Sequence, residues 1–227
     1  MTLLIGTISN TNIVITADGL SLANPTTGDS IKSNTFQKIF PLPGIPVAIA
    51  HHGFNILDGH PVNEFLRQFM TNPKTDFTAL SIHEIAIELF KFTDPAAQVI
   101  FTNPANSGGI GFWIAGFLTK NLKPLLYEIH WPNKPKPEQH ELIVLGGEGR
   151  RFVKHHMKEF ELIKAKAEKL RRYSVEDALR LHGVIYEDAE EKQKKERQNI
   201  FGGHQHQLVI EKDGWRWIKP PQDLKQD

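Results

Sequence analysis

The chain has 227 residues, of which 40% are hydrophobic and 23% charged, and its formal net charge is +1 at pH 7. These values are typical of a globular protein. A charge so close to zero provides no field to attract a nucleic acid or an anionic membrane, so neither partner is expected. The sequence has no cysteine, which excludes disulfides, thiol catalysis and thiolate metal ligands. No apolar run approaches the about 20 residues of a membrane span, and no signal-peptide pattern is visible. We therefore expect a cytoplasmic protein.

The first half of the chain alternates from strands to helices. Short β-branched segments bounded by Asn, Gly or Pro predict three strands, at Leu3–Ile8, Ile13–Thr16 and Ile45–Ala50. Apolar residues at helical spacing then predict two helices, at Pro61–Met70 and about Ser81–Phe92. Pro95 is expected to end the second helix because proline cannot donate a helical hydrogen bond.

The second half repeats this order. Strands are predicted at Gln98–Phe101, Ile110–Phe117, Leu125–Trp131 and Glu141–Leu145. The three prolines of Pro132–Pro137 predict a surface loop rather than a strand. Two long helices follow, at about Arg151–Arg171 and Val175–Arg197, and the last strands are Gln207–Glu211 and Trp215–Ile218.

The order of strands, two helices, strands, two helices and strands indicates an α+β protein. Two antiparallel sheets packed face to face, with a helical pair on each outer face, would bury all the apolar stripes. We therefore predict a four-layer αββα sandwich. The sequence has no internal repeat and no long linker, so residues 1–227 are expected to form a single domain.

Thr2 is the most informative candidate for chemistry. If Met1 is removed, Thr2 carries a hydroxyl nucleophile and a free α-amine in one residue. The unperturbed pKa of an α-amine is roughly 7.7–8.0, so the amine can act as the base for its own hydroxyl. Asp18 follows Thr2 across two predicted strands.

The residues around Thr2 and four later segments resemble one known family. The pattern runs from Thr2-x-x-x-Gly through x-Val-x-x-Ala-Asp18 to Lys38-Ile-Phe40, and it continues with Trp113–Phe117, Pro124–Ile129, Leu142–Gly147 and Phe201-Gly-Gly203. In this order and spacing the segments resemble proteasome β-type subunits, a family of N-terminal nucleophile hydrolases. The resemblance implies the αββα fold, amide hydrolysis by the N-terminal threonine and no organic cofactor.

The resemblance also implies roles for Asp18 and a lysine. Asp18 stands in register with the family's aspartate, which orients a nearby ammonium group. Counting back from Lys38-Ile-Phe40 places the family's lysine at Asn34, and an asparagine cannot supply a cation. Lys32, two residues earlier, is the candidate instead. On this reading Lys32→Ala is expected to lower activity more than Lys38→Ala.

Other family positions differ in this chain. Gly147 stands where the family has a serine, and Gln198-x-x-Phe201 stands where it has an aspartate and a serine. The family's oxyanion glycine aligns near His51, with Gly53 close by. Because a backbone donor needs no particular side chain, His51, Gly53 and Gly147 are the candidate oxyanion and substrate-binding residues.

The histidines permit other interpretations. His51 and His52 follow a predicted strand, so they are either acid–base groups or ordinary histidines at a strand end. His204 and His206 would share one face of a strand, but two ligands do not complete a zinc site. No metal is expected.

The resulting hypothesis is a threonine hydrolase that cleaves a peptide or another amide and assembles into homo-oligomers. Two alternatives stay open. One is a small-molecule amidohydrolase on the same fold. The other is a non-catalytic assembly subunit that keeps the fold without the chemistry, which the replacements at Gly147, Gln198 and Phe201 favour.

Overall fold

A computed structural model describes residues 2–22, 31–102, 108–117, 123–153 and 167–222. The side chains of residues 22, 31, 32, 134, 135 and 167 also lie outside the described set. No helix in these ranges is long and apolar enough to cross a membrane.

Two five-stranded antiparallel sheets form the centre of the fold. In chain order the strands are β1 (Leu4–Ile8), β2 (Asn12–Ala17), β3 (Ser21–Leu22), β4 (Ile31–Ser33), β5 (Ile39–Pro41), β6 (Val47–Gly53), β7 (Ile56–Leu57), β8 (His60–Pro61), β9 (Ile110–Phe117), β10 (Pro124–Trp131), β11 (Lys134–His140), β12 (Ile143–Gly146), β13 (His206–Glu211) and β14 (Gly214–Lys219). The first sheet has the order β12-β1-β2-β13-β14 and the second β11-β10-β9-β6-β5. Strands β3 and β4 form one small two-stranded sheet, and β7 and β8 form another.

The helices are α1 (Val62–Met70), α2 (Ile82–Phe101), α3 (Arg150–Val153), α4 (Ala167–Leu170) and α5 (Val175–Lys195), with a 3₁₀ turn at Phe77–Ala79. A capping box at Ser81 begins α2, and another at Ser174 begins α5. In both, the serine side chain and the acidic side chain three residues later satisfy backbone N–H groups that the first helical turn leaves unpaired.

Three apolar layers hold these elements together. Residues of both sheets, such as Leu4 and Trp113, share one buried cluster, so the two sheets pack against each other. Helices α1 and α2 cover the other face of the second sheet. Helix α5 covers the first sheet, together with α3 and the end of α4.

The predicted four-layer sandwich with a helical pair on each outer face is wrong in that form. In the described residues the pair α1 and α2 lies on the second sheet, whereas α5 is the one long helix on the first sheet. The predicted helix Arg151–Arg171 is described only as the short helices α3 and α4, and residues 154–166 lie outside the description. The strand-rich architecture of two packed antiparallel sheets replaces the layered prediction.

Two proline-based predictions also differ from the structure. Helix α2 continues through Pro95 to Phe101, so Gln98–Phe101 is helical. Pro95 is exposed, so water can satisfy the carbonyl that the proline leaves unpaired. The prolines of Pro132–Pro137 do not exclude a strand either, because β11 lies at the edge of its sheet, where a missing N–H disrupts no ladder.

Candidate active site

Asp18 lies immediately after β2 and is the most fully bonded side chain near Thr2. Its Oδ1 atom accepts hydrogen bonds from Leu3 N at 2.8 Å and Lys38 Nζ at 2.9 Å. Its Oδ2 atom accepts from Leu20 N at 3.1 Å and Gly202 N at 3.2 Å. Four donors around two oxygen atoms suit an ionised carboxylate, which can only accept.

Lys38 supplies the cation at this carboxylate. Its side chain has no exposed surface, and Nζ also donates to the Leu20 carbonyl at 2.8 Å. Burial lowers the pKa of Lys38 below its ordinary value, while the charge and hydrogen bond of Asp18 oppose that shift. Lys38 therefore loses its proton more easily than a lysine in water does.

Sequence counting did not find Lys38. It placed the family's lysine at Asn34, whose carbonyl accepts a hydrogen bond from His204 N at 2.7 Å. Lys32 belongs to β4, and its side chain lies outside the described residues, so its role stays a prediction. The available signal was the position of Lys38 next to the buried Ile39, at the start of a strand.

Thr2 is fully buried at the start of the first strand pair. Its hydroxyl has no hydrogen-bond partner among the described residues. Its carbonyl accepts from Gly149 N at 2.9 Å, and the next residue, Leu3, exchanges two hydrogen bonds with Asp18. An unpaired buried hydroxyl is costly and rare. In this chain it belongs to the residue that precedes Leu3, whose N–H donates to Asp18 of the Asp18–Lys38 pair.

Gly147 packs directly on the Thr2 main chain. Its φ is +79°, and a Cβ atom at this position would lie 2.2 Å from the Thr2 carbonyl oxygen and 3.2 Å from Thr2 Cβ. A serine, which the resemblance implies here, would force the turn away from Thr2. Glycine is required because the two backbones are in contact.

The other two replaced positions do not bring polar side chains to Asp18. Gln198 is exposed, and its Oε1 accepts from the Arg151 guanidinium. Phe201 is fully buried, and its ring contacts Tyr186 edge-on at 5.5 Å and Phe152 at 6.1 Å between centroids. The loop instead contributes a backbone donor, Gly202 N, to Asp18.

His51 and Gly53, two of the candidate oxyanion residues, lie at the end of β6. The His51 N–H donates to the Lys38 carbonyl at 3.0 Å. Its ring is buried beside Phe36 and Phe40, and this burial, with the charge of Lys38, holds the pKa of His51 well below its ordinary value. His51 is therefore neutral near pH 7. Gly53 has a φ of +91°.

A second polar cluster, which sequence reasoning missed, surrounds Glu128 on β10. Trp113 Nε1 donates to Glu128 Oε1 at 3.2 Å, His52 Nε2 lies 3.3 Å from the same oxygen, and His140 Nε2 lies 3.0 Å from Oε2. The His130 ring stacks on His52 at 5.6 Å. Burial acts to raise the pKa of Glu128, but the bonds from His140 and His52 outweigh it, and the pKa lies well below its ordinary value.

The Glu128 cluster is separated from Thr2 by a pair of glycines. A Cβ atom at Gly146 would lie 2.8 Å from the Trp113 ring and 3.0 Å from His52 Cδ2, whereas Gly147 contacts Thr2. Among the described residues, no group of three or more His, Cys, Asp or Glu side chains is arranged to hold a metal ion.

His204 and His206 are also used structurally. Their Nε2 atoms lie 2.8 Å from the Pro220 carbonyl and 3.1 Å from the Phe36 carbonyl, respectively. Burial lowers the pKa of His206 to about 3.

Comparison with known proteins bears on the fold. No protein-family model matches the chain, and no curated protein matches its sequence. The structure of Anbu (ancestral beta-subunit) from Yersinia bercovieri is similar, with a TM-score of 0.65, 12% identity and coverage of 96% of this chain and 87% of that one. The structure of the helical assembly of the Anbu complex from Pseudomonas aeruginosa gives a TM-score of 0.68, 16% identity and coverage of 97% and 87%. The chain has a fold related to that of Anbu proteins.

These comparisons correct the family inferred from sequence. Membership of the proteasome β-type subunits is not supported, because no family model matches and the similar structures are Anbu proteins at 12% and 16% identity. The motifs behind that inference report local backbone geometry. Gly146, for example, packs against the Trp113 ring, which a Cβ atom at this position would approach to 2.8 Å. Such a packing requirement belongs to the fold and does not distinguish one family from another.

Proposed function

We propose that this chain is an N-terminal threonine hydrolase that cleaves an amide bond with Thr2 as nucleophile, once Met1 has been removed. One observation carries the proposal. The buried Asp18–Lys38 ion pair is hydrogen-bonded to Leu3, the residue next to Thr2, and the buried Thr2 hydroxyl has no partner among the residues that the structure describes. A buried ion pair beside a hydroxyl supports a catalytic role for that hydroxyl, because charged groups that shift pKa values cluster at functional sites.

The chemistry follows from the groups present. Thr2 Oγ attacks the amide carbon, and the hydroxyl proton passes to the α-amine of Thr2. That proton then goes to the leaving nitrogen as the C–N bond breaks, which leaves an ester on Thr2. Water attacks the ester, the amine takes a proton from the water, and the threonine hydroxyl is restored with release of the acid.

Asp18 and Lys38 have supporting roles in this scheme. In this scheme the ammonium of Lys38 favours the neutral form of the Thr2 α-amine, because two like charges repel each other. Asp18 keeps Lys38 in place inside the protein. Gly53 and Gly147 stay proposed as backbone donors to the oxyanion. The His51 N–H would first have to release the Lys38 carbonyl, to which it donates at 3.0 Å.

The substrate class is a peptide or a small amide. One similar structure is described as a helical assembly of the Anbu complex, which supports the proposal that this chain also self-associates. The oligomeric state can be measured by light scattering.

The intact mass of the purified protein, before and after incubation with a peptide epoxyketone, tests the proposal. An epoxyketone reacts with a hydroxyl and a free amine of the same residue. We expect loss of Met1 and one adduct in the wild type, and no adduct in Thr2→Ala. Thr102→Ala, a change at the exposed end of α2, is the matched control and should react like the wild type. A processed wild-type chain that forms no adduct would refute the proposal.

A non-catalytic subunit is the second candidate. Gln198 points to Arg151 at the surface and Phe201 is an apolar core residue, so the side chains at these two positions bring no polar group to Asp18. Retention of Met1 on the purified protein would favour this candidate, because an acylated amine cannot serve as the base.

A further inference from the structure

The loop between α5 and β13 carries one of the four donors to Asp18, and the structure shows what holds that loop. Gly202 N lies 3.2 Å from Asp18 Oδ2. Gly202 has no side chain to anchor it and has a φ of +150°. The position of its N–H must therefore be fixed by its neighbours.

On one side, Gln193 of α5 fixes the loop with its side-chain amide. Gln193 is 3% exposed. Its Nε2 donates to the Phe201 carbonyl at 2.7 Å, and its Oε1 accepts from Ile200 N at 3.0 Å and Phe201 N at 3.3 Å. Three hydrogen bonds from one buried side chain hold the two residues that precede Gly202.

On the other side, the loop is fixed by Asn34. Its carbonyl accepts from His204 N at 2.7 Å, and a Cβ atom at Gly203 would lie 2.4 Å from the same oxygen. Gly202 is thus held between two anchored segments, and in this position its N–H donates to Asp18 Oδ2.

We propose that Gln193 is a positioning residue for the reaction: through Phe201 it places the Gly202 N–H on Asp18 and so sets the charge balance of the Asp18–Lys38 pair. The catalytic part of this inference depends on the proposed function of Thr2. It assigns a role to a residue whose side-chain hydrogen bonds go to Ile200 and Phe201 of the loop. In this chain the backbone N–H of Gly202 donates a hydrogen bond to Asp18, and Gln193 holds the residues that precede Gly202 in place.

Loss of the Gln193 contacts has a predictable electrostatic consequence. Without the Gly202 donor, the carboxylate of Asp18 is less stabilised and presents more negative potential to Lys38. A more negative carboxylate raises the pKa of neighbouring ammonium groups. The reaction should therefore require a higher pH, because the α-amine of Thr2 becomes neutral only at a higher pH.

Gln193→Met tests the proposal, because methionine has a similar length and makes none of the three hydrogen bonds. Gln139→Met, at an exposed position of the edge strand β11, is the matched control. The first measurement is amide hydrogen exchange at Gly202. We expect its protection in Gln193→Met to fall by about tenfold or more, the factor that corresponds to a lost hydrogen bond to a charged group, with no change in Gln139→Met.

The second measurement is the rate of epoxyketone labelling from pH 5 to 9. We expect the Gln193→Met rate to be lower by about 10- to 100-fold at pH 7 and its midpoint to lie at higher pH, whereas Gln139→Met matches the wild type. A slower rate with an unchanged midpoint would show a purely structural role and overturn the proposal. Unchanged Gly202 protection in a folded variant would overturn it as well.

Two further outcomes are distinguishable. If the wild type does not react with the epoxyketone, the proposed function fails, while hydrogen exchange still decides whether Gln193 positions Gly202. If Gln193→Met does not fold, Gln193→Glu replaces it, because glutamate loses the donor to the Phe201 carbonyl and places a carboxylate oxygen against that carbonyl oxygen, 2.7 Å from it in the present geometry, which should displace Phe201 and with it Gly202. Wild-type protection of Gly202 in that variant would overturn the proposal.

Discussion

Lys38 Nζ lies 2.9 Å from Asp18 Oδ1, and neither side chain has any exposed surface. The pair connects the two sheets, because Asp18 follows β2 of the first sheet and Lys38 precedes β5 of the second. Removing one partner of a buried pair leaves the other charge without compensation, which is far more costly than removing an exposed pair.

Lys38→Met should therefore destabilise the protein by roughly 3–5 kcal/mol, measured as the free energy of unfolding in urea. The control is Lys91→Met, which breaks the exposed pair between Lys91 and Glu88 and should cost no more than about 1 kcal/mol. Equal losses in the two variants would show that the Asp18–Lys38 pair is hydrated in solution.

The same site permits a comparison of two lysines. The structure favours a slower epoxyketone reaction in Lys38→Ala than in Lys32→Ala, because Lys38 is the lysine at Asp18. The register count from the sequence predicts the reverse order. Labelling rates of both variants at pH 7, with their folding checked by circular dichroism, decide between them.

Gly147→Ala should both destabilise the protein and suppress labelling of Thr2. Gly44→Ala is the matched control. Gly44 has a φ of +75° and, among the described residues, no atom within 4 Å of a Cβ built there, whereas Gly147 has a φ of +79° and the Thr2 carbonyl oxygen at 2.2 Å. Both variants place alanine in the left-handed region, at about 1 kcal/mol. The additional loss in Gly147→Ala measures the contact with Thr2, and equal losses would contradict that contact.

Glu128→Gln should reduce stability by about 1–3 kcal/mol at pH 7, since the charge that accepts bonds from His52, His140 and Trp113 is lost within a largely buried cluster. Glu138→Gln is the control, because Glu138 lies opposite Glu128 on the neighbouring strand and is exposed. Urea unfolding of both variants measures the difference. A loss in Glu128→Gln no larger than that in Glu138→Gln would contradict a structural role for the cluster.

Several features of the fold and site were accessible from the sequence. Short apolar segments bounded by Asn, Gly or Pro predicted β1, β2, β6, β9 and β10, and β1, β2 and β9 are buried along their whole length. Thr2 and Asp18 were predicted as site residues from their chemistry and spacing, and their catalytic role stays a prediction. Lys38 was not chosen as the candidate lysine because lysine is usually solvated. Its burial against Asp18 depends on a contact between the two sheets, which the sequence pattern does not show. Gln193 was missed for the same reason, since its partners come from a loop whose path the local pattern does not specify.

Proline patterns failed for a different physical reason. Whether a missing N–H disrupts a strand depends on which edge of the sheet the strand occupies. The edge position of β11 is a property of the sheet order and not of Pro132–Pro137 itself. Likewise, exposure of Pro95 to water, which allows α2 to continue, depends on how the helix packs.

His182 should make the protein less stable as the pH falls below 6.5. Its ring is fully buried between the hydroxyls of Thr7 and Thr16, and burial lowers its pKa from 6.5 to about 3. Between these two values the unfolded chain binds a proton that the folded protein does not, so unfolding is favoured as the pH decreases. One such proton changes the free energy of unfolding by about 1.4 kcal/mol per pH unit.

His182→Gln tests this prediction. The free energy of unfolding of this variant should fall less steeply between pH 6.5 and 4 than that of the wild type, by up to the slope that one proton gives. The control His60→Gln, at an exposed position, should keep the wild-type slope. A slope in His182→Gln equal to that of the wild type would mean that His182 is protonated in the folded protein, and that the Thr7 and Thr16 hydroxyls both accept hydrogen bonds from an imidazolium.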